Sequence, residues 1–366
     1  MMAGFYSVCE PHLSRRRFIK FAMVAGMAPA LTPEPHAAGD ADQVVRRFIE
    51  RYAIGPNDPW AIVHAIRGVG RSCSINGESA ASYVLRTCVR TQEVNKRRYL
   101  YIPANIEVHS NMFLKTFLEA GVPASEMFSC DGRIFQLKDL SAGAKALFRF
   151  DPSTLDRNDL AWSLIAFAEL QAHEWENAYG ERIQLKEVAA FGVRVLQEAT
   201  QGLKAYATAG LPLPKKLPIH SFTCGGTHLC YSVLAAARHG VLPEASGDIV
   251  REQLQLLMYR LQADPDLIDR YYREIASAPG AELFRAGAKL KILGHALECL
   301  GYAQTHGLFE PSPLERRHIE QAVQQVRRLL AFIVTLDLAA IQRRHAQLVQ
   351  QVVGDTCHAF RGLSLV

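Results

Sequence analysis

Apolar residues recur along most of this chain at three- and four-residue steps, the spacing of one face of an α-helix, and strictly alternating runs are few. The pattern predicts helices over 42–52, 58–70, 79–95, 105–120, 138–149, 158–172, 185–208, 225–239, 247–262, 265–277, 284–305, 313–334 and 337–353. Two starts carry their own signals. Asp58-Pro59-Trp60 offers an Asp N-cap with Pro at the first helical position, and Ser312-Pro313-Leu314-Glu315 spaces its Glu for a capping box. Strand signals reduce to a tight turn at Cys130-Asp131-Gly132-Arg133 and a short stretch at 181–184. Helix 225–239 is apolar nearly all round and reads as an inner element, whereas 79–95, 247–262 and 313–334 are charge-laced and read as outer ones.

The helices also repeat themselves. His228-Leu229-Cys230-Tyr231 runs on to His239-Gly240-Val241, and His295-Ala296-Leu297-Glu298 runs on to His306-Gly307-Leu308, with the same eleven-residue step between histidines. His109 stands twelve residues before Gly121-Val122, and His64-Ala65-Ile66-Arg67 parallels the His295 segment. Such helices stop at Gly because the position after the cap takes a left-handed conformation that costs Gly little. A further echo joins Gln136-Leu137-Lys138-Asp139-Leu140 to Gln184-Leu185-Lys186-Glu187-Val188, each opening a helix after a turn. Inner and outer helices alternate about five times, with an irregular repeat unlike that of a regular solenoid. The expectation is an all-α protein, 39–366 forming a single helical domain. Its hairpins would close into an α/α toroid with at most short β-hairpins.

Eleven helical residues advance about 16 Å and return to the same face. The faces carrying His64, His109, His228 and His295 also carry Arg67, Glu298 and Tyr302, which are costly to bury unless paired or wet. The reading is a water-containing central cavity rimmed by these histidines. On it, His109, His295 and Glu298 are candidate catalytic groups, Arg67 and Tyr302 bind substrate, and His64, Cys224 and His228 are candidate metal ligands. The alternative is that each His caps a neighbouring loop and Arg67 pairs with Glu298. The segment His173-Glu174-Trp175-Glu176-Asn177-Ala178-Tyr179-Gly180 packs carboxylates, an amide and aromatics into a loop suited to a sugar or peptide. Glu176 and Tyr179 are candidate catalytic groups there, and Trp175 and Asn177 candidate binding groups.

Composition narrows the classes. The chain has 366 residues, 49% hydrophobic and 21% charged, which is globular and excludes a disordered tail. The net charge of +5 is too weak an excess to argue for nucleic acid. No apolar run reaches the roughly 18 residues of a membrane span, so no transmembrane anchor is expected. Gly-x-Gly-x-x-Gly, phosphate loops and Gly-x-Ser-x-Gly are absent, which argues against nucleotide cofactors and serine chemistry. Cys357-His358 lacks the upstream cysteine of a c-type haem site.

Residues 1–38 read as a signal peptide. Ser14-Arg15-Arg16-Arg17-Phe18-Ile19-Lys20 resembles the twin-arginine export consensus, followed by the apolar stretch 21–28 and cleavage points after Ala30 or Ala38. The resemblance covers only the leader. It implies a bacterial protein that folds in the cytoplasm, meets the twin-arginine export machinery, and works in the periplasm or outside the cell. Seven cysteines follow the leader, an odd number for an oxidising compartment.

Cys224-Gly225-Gly226-Thr227-His228 places Cys and His four apart at a Gly-loosened helix start, a workable pair for zinc or another transition metal. The string resembles the Cys-Gly-Gly-Thr-His element of the alanyl-tRNA synthetase editing domain. That family adds a His-x-x-x-His pair absent here, so only the ability of Cys224 and His228 to share an ion carries over. Lanthionine cyclases, α/α toroids with a Cys/Cys/His zinc site, are similar in architecture, and Cys357-His358 stands near the C-terminus here, but their Trp-Cys-Tyr-Gly and Cys-His-Gly strings are missing. The leading functional expectation is a metal-assisted hydrolase or lyase acting on a polar small molecule, glycan or peptide. The alternatives are a non-catalytic binding or assembly protein exported folded, and a metal-independent carbohydrate-active enzyme.

Overall fold

The computed structural model describes residues 38–55, 58–243, 246–274 and 280–366, so the export consensus at Ser14–Lys20 lies outside the described residues. What is described is mostly helical, with strands only in short antiparallel pairs. Contacts divide the chain into two units. The first holds residues up to Phe48, Leu196–Thr227 and Arg251–Val366; the second holds Ile49–Val195 and His228–Val250. Helix α1 (Ala38–Ile49) leads from the first into the second.

In the second unit, α2 (Pro59–Val69) starts where its sequence signal stands, with the Asp58 side chain accepting from the Trp60 amide at 3.0 Å. Ala61–Arg67 are all buried in α2, and Leu160–Ala168 are buried in α6 (Leu160–Glu169), as inner helices require. Four hairpins punctuate this unit: β1–β2 (Ser74–Ile75, Glu78–Ser79), β3–β4 (Arg90–Val94, Arg97–Tyr101), β5–β6 (Met127–Cys130, Arg133–Gln136) and β7–β8 (Glu174–Glu176, Arg182–Gln184). Three of them run straight into a helix: β2 into α3 (Ala80–Cys88), β6 into α5 (Leu137–Leu147) and β8 into α7 (Leu185–Ala209). The repeated Gln-Leu-Lys string marks two of these junctions. At the first, Gln136 and Asp139 form a reciprocal capping box.

The expected helix over 79–95 is shorter than the sequence suggested. It ends at Cys88, and Thr91-Gln92-Glu93-Val94 pairs in register with 97–100 across Asn95 and Lys96, both at positive φ. Two successive left-handed residues make the tight hairpin turn that matches strand twist. The expected helix 105–120 begins only at Met112 (α4, Met112–Glu119). The buried Glu107 carboxylate accepts from the Phe113 amide at 2.5 Å and occupies a donor at that helix start.

Gly-ended helices close as the repeat suggested. At Gly121, Gly240 and Gly307 the φ values are 72°, 64° and 70°, and Val122, Val241 and Leu308 each donate back to the carbonyl five residues earlier. Gln171 takes the same place after α6 at φ 51°.

The first unit is built on long helices: the end of α7, α9 (Gly247–Arg273), α10 (Ala281–Thr305), α11 (Pro313–Val334) and α12 (Leu338–Leu365). The expected break before Pro265 does not occur; α9 continues through it, with Leu254, Leu257, Leu261, Leu267 and Ile268 buried on both sides. Apolar burial across the proline holds the two halves together although one backbone donor is missing. α12 likewise runs twelve residues past its expected end at 353, with Val352, Val353, Cys357 and Ala359 buried beyond a bend at His345. α11 has the outer-helix pattern, burying only Ile319, Ala322, Val326, Leu330 and Ile333.

Inside this unit α10 and α12 pack unusually closely. A Cβ on Gly294 would lie 2.8 Å from Ala359 Cα, one on Gly301 2.5 Å from Leu365 Cβ, and one on Gly362 2.8 Å from the Gly294 carbonyl. Glycine at these three places lets the backbones meet and sets side chains of the two helices ring against ring.

Candidate metal centre

In the first unit the backbone departs from helical geometry at residues 224–226. Cys224, Gly225 and Gly226 all have positive φ (50°, 62° and 75°). A non-glycine residue is rarely held in that region, and such strain concentrates where a side chain must be aimed. Both glycines are closely crowded by side chains as well. A Cβ on Gly226 would fall 2.2 Å from Ile219 Cδ1, and one on Gly225 2.8 Å from an Arg260 guanidinium nitrogen. Arg260 is itself pinned: its Nε donates to Asp264 at 2.8 Å, and Asp264 also meets His220 Nε2 at 3.3 Å. The Arg260 and His220 charges hold the fully buried Asp264 carboxyl below its usual range despite burial.

The turn opens directly into α8 (Thr227–Arg238), whose first residue donates its hydroxyl to the Cys224 carbonyl at 2.9 Å. His228 stands one turn beyond Cys224 in sequence, on the first turn of α8. On α10, His295 is buried and its Nδ1 meets the Lys291 carbonyl at 2.7 Å. That contact fixes Nδ1 as the N–H and leaves Nε2 as the ligand atom, the arrangement typical of metal-binding histidines.

Cys224, His228 and His295 thus present one ligand atom each, all within 4.8 Å of one another. Tetrahedral zinc with one sulfur and two nitrogens separates its ligand atoms by about 3.5 Å. The group can therefore hold a metal ion after small side-chain rotations. Soft thiolate with two imidazoles suits zinc or a neighbouring transition metal rather than magnesium or calcium. Cys299, one turn beyond His295, donates its thiol to the Thr227 carbonyl at 3.3 Å.

The remaining site residues singled out in the sequence fall into separate clusters. His64 stands outside the Cys224–His228–His295 group among the described residues. Its Nδ1 meets the Trp60 carbonyl at 2.7 Å and its ring leans on Trp60. His109 pairs with Asp159 at 2.7 Å and stacks on Trp162, which in turn lies 4.8 Å from the His228 ring. Arg67 meets Glu119 at 2.5 Å, and Lys115 meets the same carboxylate oxygen at 3.0 Å, both cations lying over the Tyr231 ring. The imagined Arg67–Glu298 pair is thus replaced by Arg67–Glu119, while Glu298 meets His358 and Arg361. Tyr302 is buried edge-on to His306.

The 173–180 segment comprises strand β7 and the turn that leads to β8. Asn177 donates to the Phe148 carbonyl and the Glu181 carboxylate, and accepts from the Tyr179 and Glu181 amides, so its amide is committed to the turn. Trp175 donates to the Lys145 carbonyl at 2.8 Å and packs on Phe148 and Phe167. Tyr179 lies under the Arg149 guanidinium, and Glu176 is exposed. From the sequence, Arg361 had no role, and His358 entered only with Cys357, in setting haem aside and in the likeness to lanthionine cyclases. Their signal, polar residues on an apolar helix, stood past the expected end of α12.

No helix among the described residues is long and apolar enough to cross a membrane. Comparison with family models, curated proteins and solved structures finds no match.

Proposed function

We propose that this protein is an exported metal-dependent hydrolase or lyase whose ion, zinc in the simplest case, is held by Cys224, His228 and His295. The observation that carries the reading is the convergence of those three ligand atoms within 4.8 Å. They include Cys224, which its turn holds in the left-handed region. Three protein ligands leave a fourth position for water, the mark of a catalytic rather than a structural zinc site. The nearby Cys299 sulfur, engaged as a donor to a backbone carbonyl, fits a thiol outside the coordination sphere. Cys224, His228 and His295 would hold the ion, and the chemistry it would supply there is activation of water and of a substrate carbonyl or phosphoryl oxygen. The likeness of Ser14–Lys20 to the twin-arginine consensus supports export in the folded state.

The test is hydrolysis of chromogenic carboxylic and phosphate esters by the purified chain. Activity should disappear on chelation, return with zinc, and be absent in Cys224→Ser. Equal turnover by the metal-free protein, or by Cys224→Ser, would refute a metal-dependent reaction.

A further inference from the structure

Beside His295, on the first unit's own helices, lies a buried polar chain that joins α10 to α12. The His358 ring stacks on the His295 ring, centroids 3.9 Å apart and planes 27° apart. His358 Nδ1 meets one oxygen of Glu298 at 2.8 Å, and Arg361 Nε meets the other at 2.9 Å. His358 and Glu298 are almost fully buried, and Arg361 is partly so. Ion pairs this deep gain little stability over apolar residues of the same size. The three glycines that bring α10 and α12 into backbone contact also make the ring-on-ring stack possible.

We infer that Glu298, His358 and Arg361 form the outer shell of the metal centre: Arg361 and Glu298 fix the His358 ring, and that ring fixes the plane in which His295 presents Nε2 to the ion. The inference rests on the reading of Cys224, His228 and His295 as ligands. Two contacts from different directions then set His295, the Lys291 carbonyl on Nδ1 and the His358 face on the ring. An imidazole binds a metal along its ring plane, so tilting the ring moves the lone pair off the ion. Outer-shell changes of this kind commonly cost about 10–100-fold in metal affinity. Glu298, His358 and Arg361 are positioning residues here; none of them touches the ion.

The experiment uses the full chain with cobalt(II) as probe, read by its visible absorption and by competition titration, alongside melting of the metal-free protein. Glu298→Gln keeps shape and loses charge, and should weaken cobalt binding about 10–100-fold and shift the visible bands. Glu298→Asp should recover part of both. Arg361→Gln, at the accessible end of the chain, is the second variant should Glu298→Gln fail to fold, with a smaller loss in the same direction. Variants that melt like the parent and bind cobalt with unchanged affinity and spectrum would overturn the outer shell while leaving the metal centre standing. A parent chain that takes up no cobalt would overturn both, and that failure is visible before any variant is made.

Discussion

At the scale of single residues, the account depends on positions where only one side chain fits. Gly226 is the clearest. Its φ of 75° and the 2.2 Å approach of Ile219 Cδ1 to a built Cβ act together. Gly226→Ala should cost about 2–4 kcal/mol in a urea titration. A loss under about 0.5 kcal/mol would mean that the turn is not held as described. Glu107 makes a second prediction. Burial pushes its carboxyl up to about 8, against the backbone amides of Phe113 and Asn111 and the nearby His109 charge, which favour ionisation. The folded state therefore keeps its proton where the unfolded chain has lost it. Stability should fall as pH rises from about 4.5 to about 8, by up to about 1.4 kcal/mol per pH unit, and level off above. Glu107→Gln, which can still accept from Phe113, should remove that slope; an unchanged slope in the variant would place its origin elsewhere.

At the scale of elements, the α10–α12 contact and the α7 surface predict opposite signs for one substitution. Gly294→Ala drives a Cβ to 2.8 Å from Ala359 Cα and should destabilise by about 1–3 kcal/mol. Gly202→Ala on exposed α7 meets only Leu217 Cδ2 at 3.5 Å, and should stabilise by up to about 1 kcal/mol through helix propensity. Paired thermal melts check both, and equal shifts would deny the close approach. The same scale shows what the sequence could convey. The Asp58 and Ser312 starts and the Gly-terminated ends were legible because each is a local backbone requirement written in one or two residues. The β3–β4 hairpin was not, because Val84, Leu85 and Cys88 continue a helical stripe into Val89, and Asn95-Lys96 is not among the usual turn pairs. The continuation of α9 through Pro265 and of α12 past Gly354 was hidden too. In both, burial of distant apolar residues overrides a local breaker.

At the scale of the whole molecule, the sequence offered four histidines at matching helical positions as one family, and geometry sorts them. His228 and His295 join Cys224, whereas His64 and His109 lean on Trp60, Asp159 and Trp162. Helical spacing told which residues share a face of one helix. It could not tell which ends of different helices meet, because that depends on the α10–α12 glycine contact and the 224–226 turn. The central claim is that this chain carries one transition-metal ion on Cys224, His228 and His295. Its most direct test is the metal content of protein purified without added metal or chelator. The account predicts about one equivalent, mainly zinc, in the parent and under about 0.2 equivalents in Cys224→Ser and His295→Ala. A parent chain with less than about 0.2 equivalents of any transition metal, or variants as loaded as the parent, would contradict it.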